Sequence, residues 1–545
     1  MLNNFFNKTT KVIENYYRRR KFINFNKKIF KQDNKKINKG IFLVEFNAFH
    51  DSHAIYSIFI NYIKKKYNYR VEAFFNYCLT SAPLHFTLLG RIKWNLANIL
   101  SLNNFAVYRS FNVENIFRPI IKKEITEKAN LYYKKNFHKI KKKEDVMDIK
   151  IENILIGELL YDSFIRIKRL PTVDIFGNDF QNHYFNFIEL TLFWVEYFRK
   201  NKIKGLVTSH SVYSYGLPIR IALSQKIPCY LPDAFGIVKV NKDTLYGGNY
   251  GSVQNYKKDF CKLKKEIKFN GINKAKKILE SRLKYGSMLN YKFEDRSSFG
   301  PTVRKRYIKS KKRFNVLICT HDFFDAVHFH GKSIFPDFYE WLLFLGKISK
   351  QTNFDWYIKN HPKYSGKFRL SQPISDNIVK KFLKNNKQIK LLPNNLSNRQ
   401  IIEEGVNVVL TVYGSVGSEF PFFSIPVVNA AYNPHIAFDF TVTPKSFKQY
   451  IRVIKNLDNI KIKNNNLKEL YEFYFMKNLL PDNNWLTGDY DRLIKNIGGY
   501  DNLQSSNFYK YWIDNFDYKK FIKLCKRFDI FIKSNDDRLQ TKHTP

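Results

Sequence analysis

Apolar and polar positions along the chain follow two alternating rhythms. Short unbroken apolar runs, the mark of strands buried on both faces of a parallel sheet, are separated by stretches whose apolar residues recur at helical spacing. In the N-terminal half the runs are Ile41–Phe46, Tyr69–Phe75, Lys204–Thr208 and Ile227–Leu231. In the C-terminal half they are Phe314–Cys319, Trp356–Lys359, Ile389–Leu392, Val406–Leu410 and Pro426–Val428. Helices are predicted over His53–Lys66, Ile151–Arg166, Phe185–Lys200, Tyr215–Gln225, Asp337–Lys350, Ile374–Lys384, Asn398–Glu404 and Lys445–Leu457. The region from about 80 to 150 reads as helical and basic.

Strand and helix in alternation predict an α/β protein with two doubly wound, Rossmann-type domains facing a cleft, carrying helical additions. The expected division is a basic N-terminal segment (1–40), a first Rossmann-like domain (41–255), and a Lys-rich helical linker (256–312). A second Rossmann-like domain (313–457) and a helical tail packing back on the first domain (458–545) complete it. A chain of 545 residues is too long for one core, which agrees with this division.

Charge sharpens the picture. Against 47 Asp and Glu stand 93 Lys and Arg, a formal net charge of +46. Part of this accompanies a general abundance of Lys, Asn, Ile, Phe and Tyr. The rest is a physical property that draws the chain to anionic lipid, nucleic acid or acidic glycans. With 44% hydrophobic residues the chain has ample material for packed cores and is not a disordered polyelectrolyte. No apolar stretch reaches the length of a membrane span, and the N-terminus lacks a signal-peptide pattern. The five cysteines are scattered, without a CxxC pair, so a reduced cytoplasmic protein is expected.

The chemistry concentrates at predicted strand ends. After Val406–Leu410 comes Thr411-Val-Tyr413-Gly414-Ser415-Val-Gly417-Ser418-Glu419. A strand, a Gly/Ser turn and a short helix would aim backbone N–H groups at an anion, with the Ser415 and Ser418 hydroxyls adding donors. An ordinary βα turn with a capping serine has the same sequence. Glu419 could accept a sugar hydroxyl or complete that cap. Trp356–Lys359 leads into Asn360-His361-Pro362, where Pro362 favours extended geometry at His361 and Lys359 adds positive charge. His321 and Asp322 end another strand, and His328 and His330 follow. No settled metal-ligand spacing appears there, so no metal is expected. His435 lies past the last strand of the second domain.

Any transfer to a hydroxyl also needs a group that takes its proton, usually Asp, Glu or His. Asp233 leads the candidates, with His50, Asp51 and His210 at similar strand ends in the first domain. For each, a turn or cap role fits equally well. No GxSxG elbow, Walker loop, HExxH motif or GxGxxG opening a helix is present, which removes the usual support for hydrolase, NTPase and dinucleotide readings.

The order His361-Pro362, Tyr413-Gly-Ser415-Val-Gly-Ser-Glu419, Ser424-Ile-Pro-Val-Val428 resembles bacterial capsule polysaccharide biosynthesis proteins. These are GT-B glycosyltransferases related to capsular Kdo transferases and to polysialyltransferases with an HP motif. Ile156-Gly-Glu-Leu-Leu-Tyr-Asp162 with Arg166 resembles a first-domain motif of such proteins. The resemblance implies that His361 and the Ser415 loop bind the phosphate of a nucleotide sugar, CMP- or UDP-linked, with CMP-Kdo a fitting example. It implies a glycan or glycolipid acceptor, no tightly bound cofactor, and a cytoplasmic enzyme peripheral on the inner face of an anionic membrane. No acidic Asp/Glu-Asp/Glu-Gly motif stands in the first domain, so the base stays open. Transfer of a polyol phosphate, as in teichoic-acid polymerases, is an alternative. Non-catalytic binding of a polyanion or nucleic acid is another, which the dispersal of the aromatic residues through core patterns disfavours.

Overall fold

In the computed structural model every one of these apolar runs is a strand of one of two separate sheets. The structure describes all residues except 1, 31–37, 77–86, 234–235, 288–296, 309–311, 362–371, 461–465, 482–489, 500–501, 504 and 540–545. Contacts divide the chain into two units. The first takes in the described residues of Met1–Leu160, Phe176–Gly251 and Asp482–Leu539, and the second those of Tyr161–Ile175 and Ser252–Pro481. The stretch 256–308 and the helix Asn466–Tyr474 thus belong to the second unit, as do Asp162 and Arg166.

The first unit holds β1 (Asn38–Phe46), β2 (Tyr69–Phe75), β3 (Asn115–Phe117), the short hairpin β4 (Lys150–Ile151) and β5 (Ile154–Leu155), then β6 (Ile203–Val207), β7 (Cys229–Asp233) and β8 (Gly236–Val240). Its sheet runs β3-β2-β1-β6-β7-β8, parallel except for the antiparallel edge strand β8. Because β2 lies on one side of β1 and β6 on the other, the order reverses between β1 and β6. That is where such sheets take their ligands, outside the carboxyl ends of the strands. The helix His50–Tyr67 covers one face, and behind it lie the helices Leu2–Ile29 and Ser506–Asn515, joined by Phe22 stacked on Tyr509 at 4.2 Å.

The second unit holds β9 (Asn315–Cys319), β10 (Asp355–Lys359), β11 (Ile389–Leu392), β12 (Val408–Thr411) and β13 (Val427–Asn429), all parallel in the order β11-β10-β9-β12-β13. Here the reversal falls between β9 and β12. Most side chains of these strands are apolar and buried, as a sheet covered on both faces requires. The Lys-rich helix Lys265–Tyr285 packs on the Asn466–Tyr474 helix and the turn after it, closely enough that a Cβ at Gly271 would lie 2.5 Å from the Phe475 ring.

Two predicted elements differ. Ile151–Arg166 is not one helix: Glu152 and Asn153 adopt left-handed φ values of 49° and 65°, closing the β4–β5 hairpin, and the helix spans Gly157–Lys168. A tight Glu-Asn turn outweighs the helical spacing of its apolar neighbours. The region 80–150, read as wholly helical, also contributes the edge strand β3.

Candidate functional site

In the second unit the sheet reversal brings the segment after β9 against the loop after β12. His321 Nε2 lies 3.1 Å from Thr411 Oγ1 and accepts the Tyr413 N–H at 3.2 Å, while its ring stacks on Phe338 at 4.6 Å. Burial holds this imidazole neutral, its pKa lowered to about 3, with nearby His361 acting in the same direction. With Nε2 used as an acceptor, the ring proton belongs on Nδ1. Tyr413 hydroxyl donates to Ala326 carbonyl at 2.7 Å, closing the loop over the β9 end.

The Gly/Ser turn is more self-contained than its sequence implies. Gly414 N–H donates to Thr411 Oγ1, Gly417 N–H to Gly414 carbonyl, Ser418 N–H to Ser415 carbonyl, and Ser418 hydroxyl also to Ser415 carbonyl. These donors close turns; they do not form an open anion cradle. The Val416–Glu419 helix has a single turn, and Ser415, at its N-cap, is exposed. Glu419 points inward: it is 5% exposed, accepts from Asn398, and burial raises its pKa against the opposing charge of Arg282. Lys359 is likewise turned away from the loop. Its Nζ donates to Leu396 carbonyl at 2.7 Å and Asn398 Oδ1 at 2.6 Å. His435 is a core residue, 1% exposed, stacked on Phe440 at 5.1 Å and pressed on Gly417 so closely that a Cβ there would lie 2.5 Å from its Cε1. Glycine at 417 therefore serves packing.

What does gather at the strand ends is a charged group. His361 follows β10, with its N–H held by Thr320 Oγ1 and Asn360 Oδ1 at 3.0 Å each. Asp322, beside it, has its pKa raised by burial and by Asp325, with Arg166 and His361 pulling the other way. Arg166 comes from a helix far away in sequence, whose Asp162 binds His328 twice: Nδ1 to Oδ1 at 2.8 Å and backbone N–H to Oδ2 at 3.2 Å. Four of the expected residues, His321, His361, Asp162 and Arg166, thus share one neighbourhood. Pro362 lies outside the described residues. Among the described residues no three His, Cys, Asp or Glu side chains are grouped as a metal site.

In the first unit the corresponding edge carries carboxyl groups. Asp51 opens the helix after β1, and Asp233 ends β7, where Asn249 Nδ2 donates to it. Burial raises the Asp51 pKa to about 7, with the Asp233 charge adding to the rise, and its Oδ1 is buried with no hydrogen-bond partner. His50 precedes it, its ring 4.6 Å from that of Tyr509. His53, one turn on, is a structural clamp: Nδ1 meets Tyr509 hydroxyl at 2.5 Å and Nε2 meets Asn47 carbonyl at 3.0 Å, with the ring kept neutral by burial. His210, after β6, has Nδ1 at 2.7 Å from Ser209 Oγ.

Sequence reasoning passed over Glu45. It sits inside β1, fully buried, accepting Ser209 N–H at 2.5 Å on Oε2 while Oε1 has no partner. Burial lifts its pKa to about 7. Its one signal was an acid in the midst of Ile41-Phe-Leu-Val-Glu-Phe46. Because the folded chain holds this proton more tightly than the unfolded chain, the resulting stabilisation is complete below about pH 4.5 and is lost as pH rises through about 7. Urea unfolding should therefore show wild type losing on the order of 3 kcal/mol more than Glu45→Gln across that interval. Parallel pH profiles for the two proteins would contradict it.

No protein-family model and no curated protein matches this chain. Solved structures with similar folds include a β-Kdo 2,4 transferase, KpsC, of Thermosulfurimonas dismutans, at 11% identity over 51% of this chain and 79% of that one, with a TM-score of 0.33. The β-Kdo 2,7 transferase of the same organism's KpsC shows 14% identity over 53% and 80%, TM-score 0.31. A UDP-GlcNAc 2-epimerase from Neisseria meningitidis bound to UDP-GlcNAc shows 10% identity over 81% and 97%, TM-score 0.22.

Proposed function

We propose that the chain is a glycosyltransferase of surface-polysaccharide assembly, moving a sugar from a nucleotide-linked donor to a hydroxyl of a glycan or glycolipid. The observation that carries this reading is Asp51, a carboxyl with a pKa of about 7 and an unpaired Oδ1 at the carboxyl edge of a parallel sheet. A base poised near neutrality is what removal of a proton from an attacking hydroxyl needs. Asp51 is partly exposed as a residue, whereas Glu45 is fully buried inside the strand.

The steps balance simply. The acceptor O–H gives its proton to Asp51, its oxygen bonds the anomeric carbon, and the bond from that carbon to the phosphate oxygen breaks. The departing nucleotide keeps that bond's electron pair as negative charge on its phosphate; within the second unit, Arg166 and His361 are the groups suited to hold a donor phosphate. Asp233, beside Asp51, keeps its proton affinity high. The donor enters as a co-substrate, and an acidic sugar linked to CMP, such as Kdo, suits the positive charge of the chain.

A panel of CMP-, UDP- and CDP-linked donors read by thermal shift tests this. One class should raise the unfolding midpoint, and His361→Ala and Arg166→Ala should each abolish that rise while the unliganded midpoint stays within a few degrees. A CDP-polyol as the responding donor would redirect the reading to polyol-phosphate transfer. Indifference to the whole panel would remove its basis.

A further inference from the structure

The helix Leu88–Ile99 is apolar on two opposite faces. Trp94 and Ala97 face inward, with the Trp94 ring edge-on to Phe46, Phe75 and Phe105 at about 5–6 Å. Leu89, Ile92, Leu96 and Ile99 recur three and four residues apart on the other side, and they are 61%, 47%, 51% and 77% exposed. No side chain of this helix is fully buried. Arg19 Nη1 donates to Asn103 Oδ1 at 2.6 Å, which sets the N-terminal helix beside the turn following Ile99. One turn before Arg19, Tyr16 and Tyr17 are also exposed, at 57% and 62%.

Scattered apolar side chains on a surface need no explanation, but a stripe of four on one helix does. The surroundings identify the partner. Exposed Arg91 and Lys93 flank the stripe on its own helix, exposed Arg20 and Lys21 follow Arg19 on the N-terminal helix, and the Leu88–Ile99 helix contains no acidic residue. A second copy of a +46 chain would meet this surface with like charge. A nucleic acid would match the charge but gain nothing from aliphatic side chains that cannot stack on bases. An anionic bilayer satisfies both features: leucine and isoleucine enter the acyl boundary, tyrosine sits at the headgroup level, and the cations meet lipid phosphates. We propose that this face of the first unit is a docking surface for an anionic lipid bilayer. The proposal is independent of the transfer reaction above.

The test uses the full chain and sedimentation with vesicles of phosphatidylcholine alone or mixed with phosphatidylglycerol. Wild type should bind the mixed vesicles and not the neutral ones. The variant Leu89→Ser, Ile92→Ser, Leu96→Ser, Ile99→Ser keeps every charge, and its binding should fall by about tenfold or more. As a second readout, Ile92→Cys carrying an environment-sensitive dye should shift its emission to the blue on the mixed vesicles. Wild-type affinity in the serine variant overturns the proposal, as does equal binding to neutral vesicles or an unshifted dye. So does light scattering that shows a dimer which the serine variant dissolves, since the stripe would then belong to a second copy.

Discussion

Asp51→Asn should lower the rate of sugar transfer by about 10²–10⁴-fold, the usual contribution of a general base. The isostere keeps the helix start after β1 in place but has no proton affinity to lend. Donor-induced thermal stabilisation should survive, because Asp51 is not among the groups assigned to the donor phosphate. The wild-type pH profile carries the sharper signature. A base must be ionised to act, so the rate should climb as pH rises through about 7, the value to which burial and Asp233 bring this carboxyl. In Asp51→Asn that ascending limb should vanish from the residual activity. Asp233→Asn removes the repulsion that helps hold the pKa up, so it should move the limb to lower pH. A variant at 51 that retains both rate and limb would transfer the role to another group.

The strands were readable because a parallel sheet covered on both faces writes itself as unbroken apolar runs, and helical spacing between them fixed the αβ alternation. What escaped were elements whose reasons lie outside their own residues. β3 and β8 are edge strands, formed because β2 and β7 offer free ladders, and the β4–β5 hairpin follows from one two-residue turn. The site divides the same way. His321, His361 and Asp51 were legible as polar residues ending apolar runs. The contact of His321 with Thr411 spans 90 positions and follows from β12 lying beside β9, a matter of strand order that no local pattern encodes. Lys359 and Glu419 show the converse. Each looked available beside the Gly/Ser loop, yet both side chains turn toward Asn398. Glu45 was hidden by being inside a strand, where alternation predicts packing and not chemistry.

Asp162→Ala should lower stability by about 3–5 kcal/mol. Asp162 is 2% exposed and receives both the backbone N–H and the Nδ1–H of His328, itself 7% exposed. Alanine leaves two buried donors without an acceptor, and the desolvation cost of each is then uncompensated. Close by, the Tyr161 and Thr172 hydroxyls both donate to Asp337 Oδ2, at 2.6 and 2.7 Å. Asp162→Asn keeps one acceptor oxygen and should lose roughly half as much. Calorimetry on the three proteins gives the ordering wild type, Asn, Ala, and equal midpoints would show that the pair contributes nothing. The consequence for function follows from position. The loop that Asp162 fixes carries His321 and the Ala326 carbonyl that holds Tyr413, and the same helix carries Arg166. Loosening it should therefore raise the donor KM, while the ascending pH limb set by Asp51 stays where it was, so that the two variants separate donor holding from proton transfer.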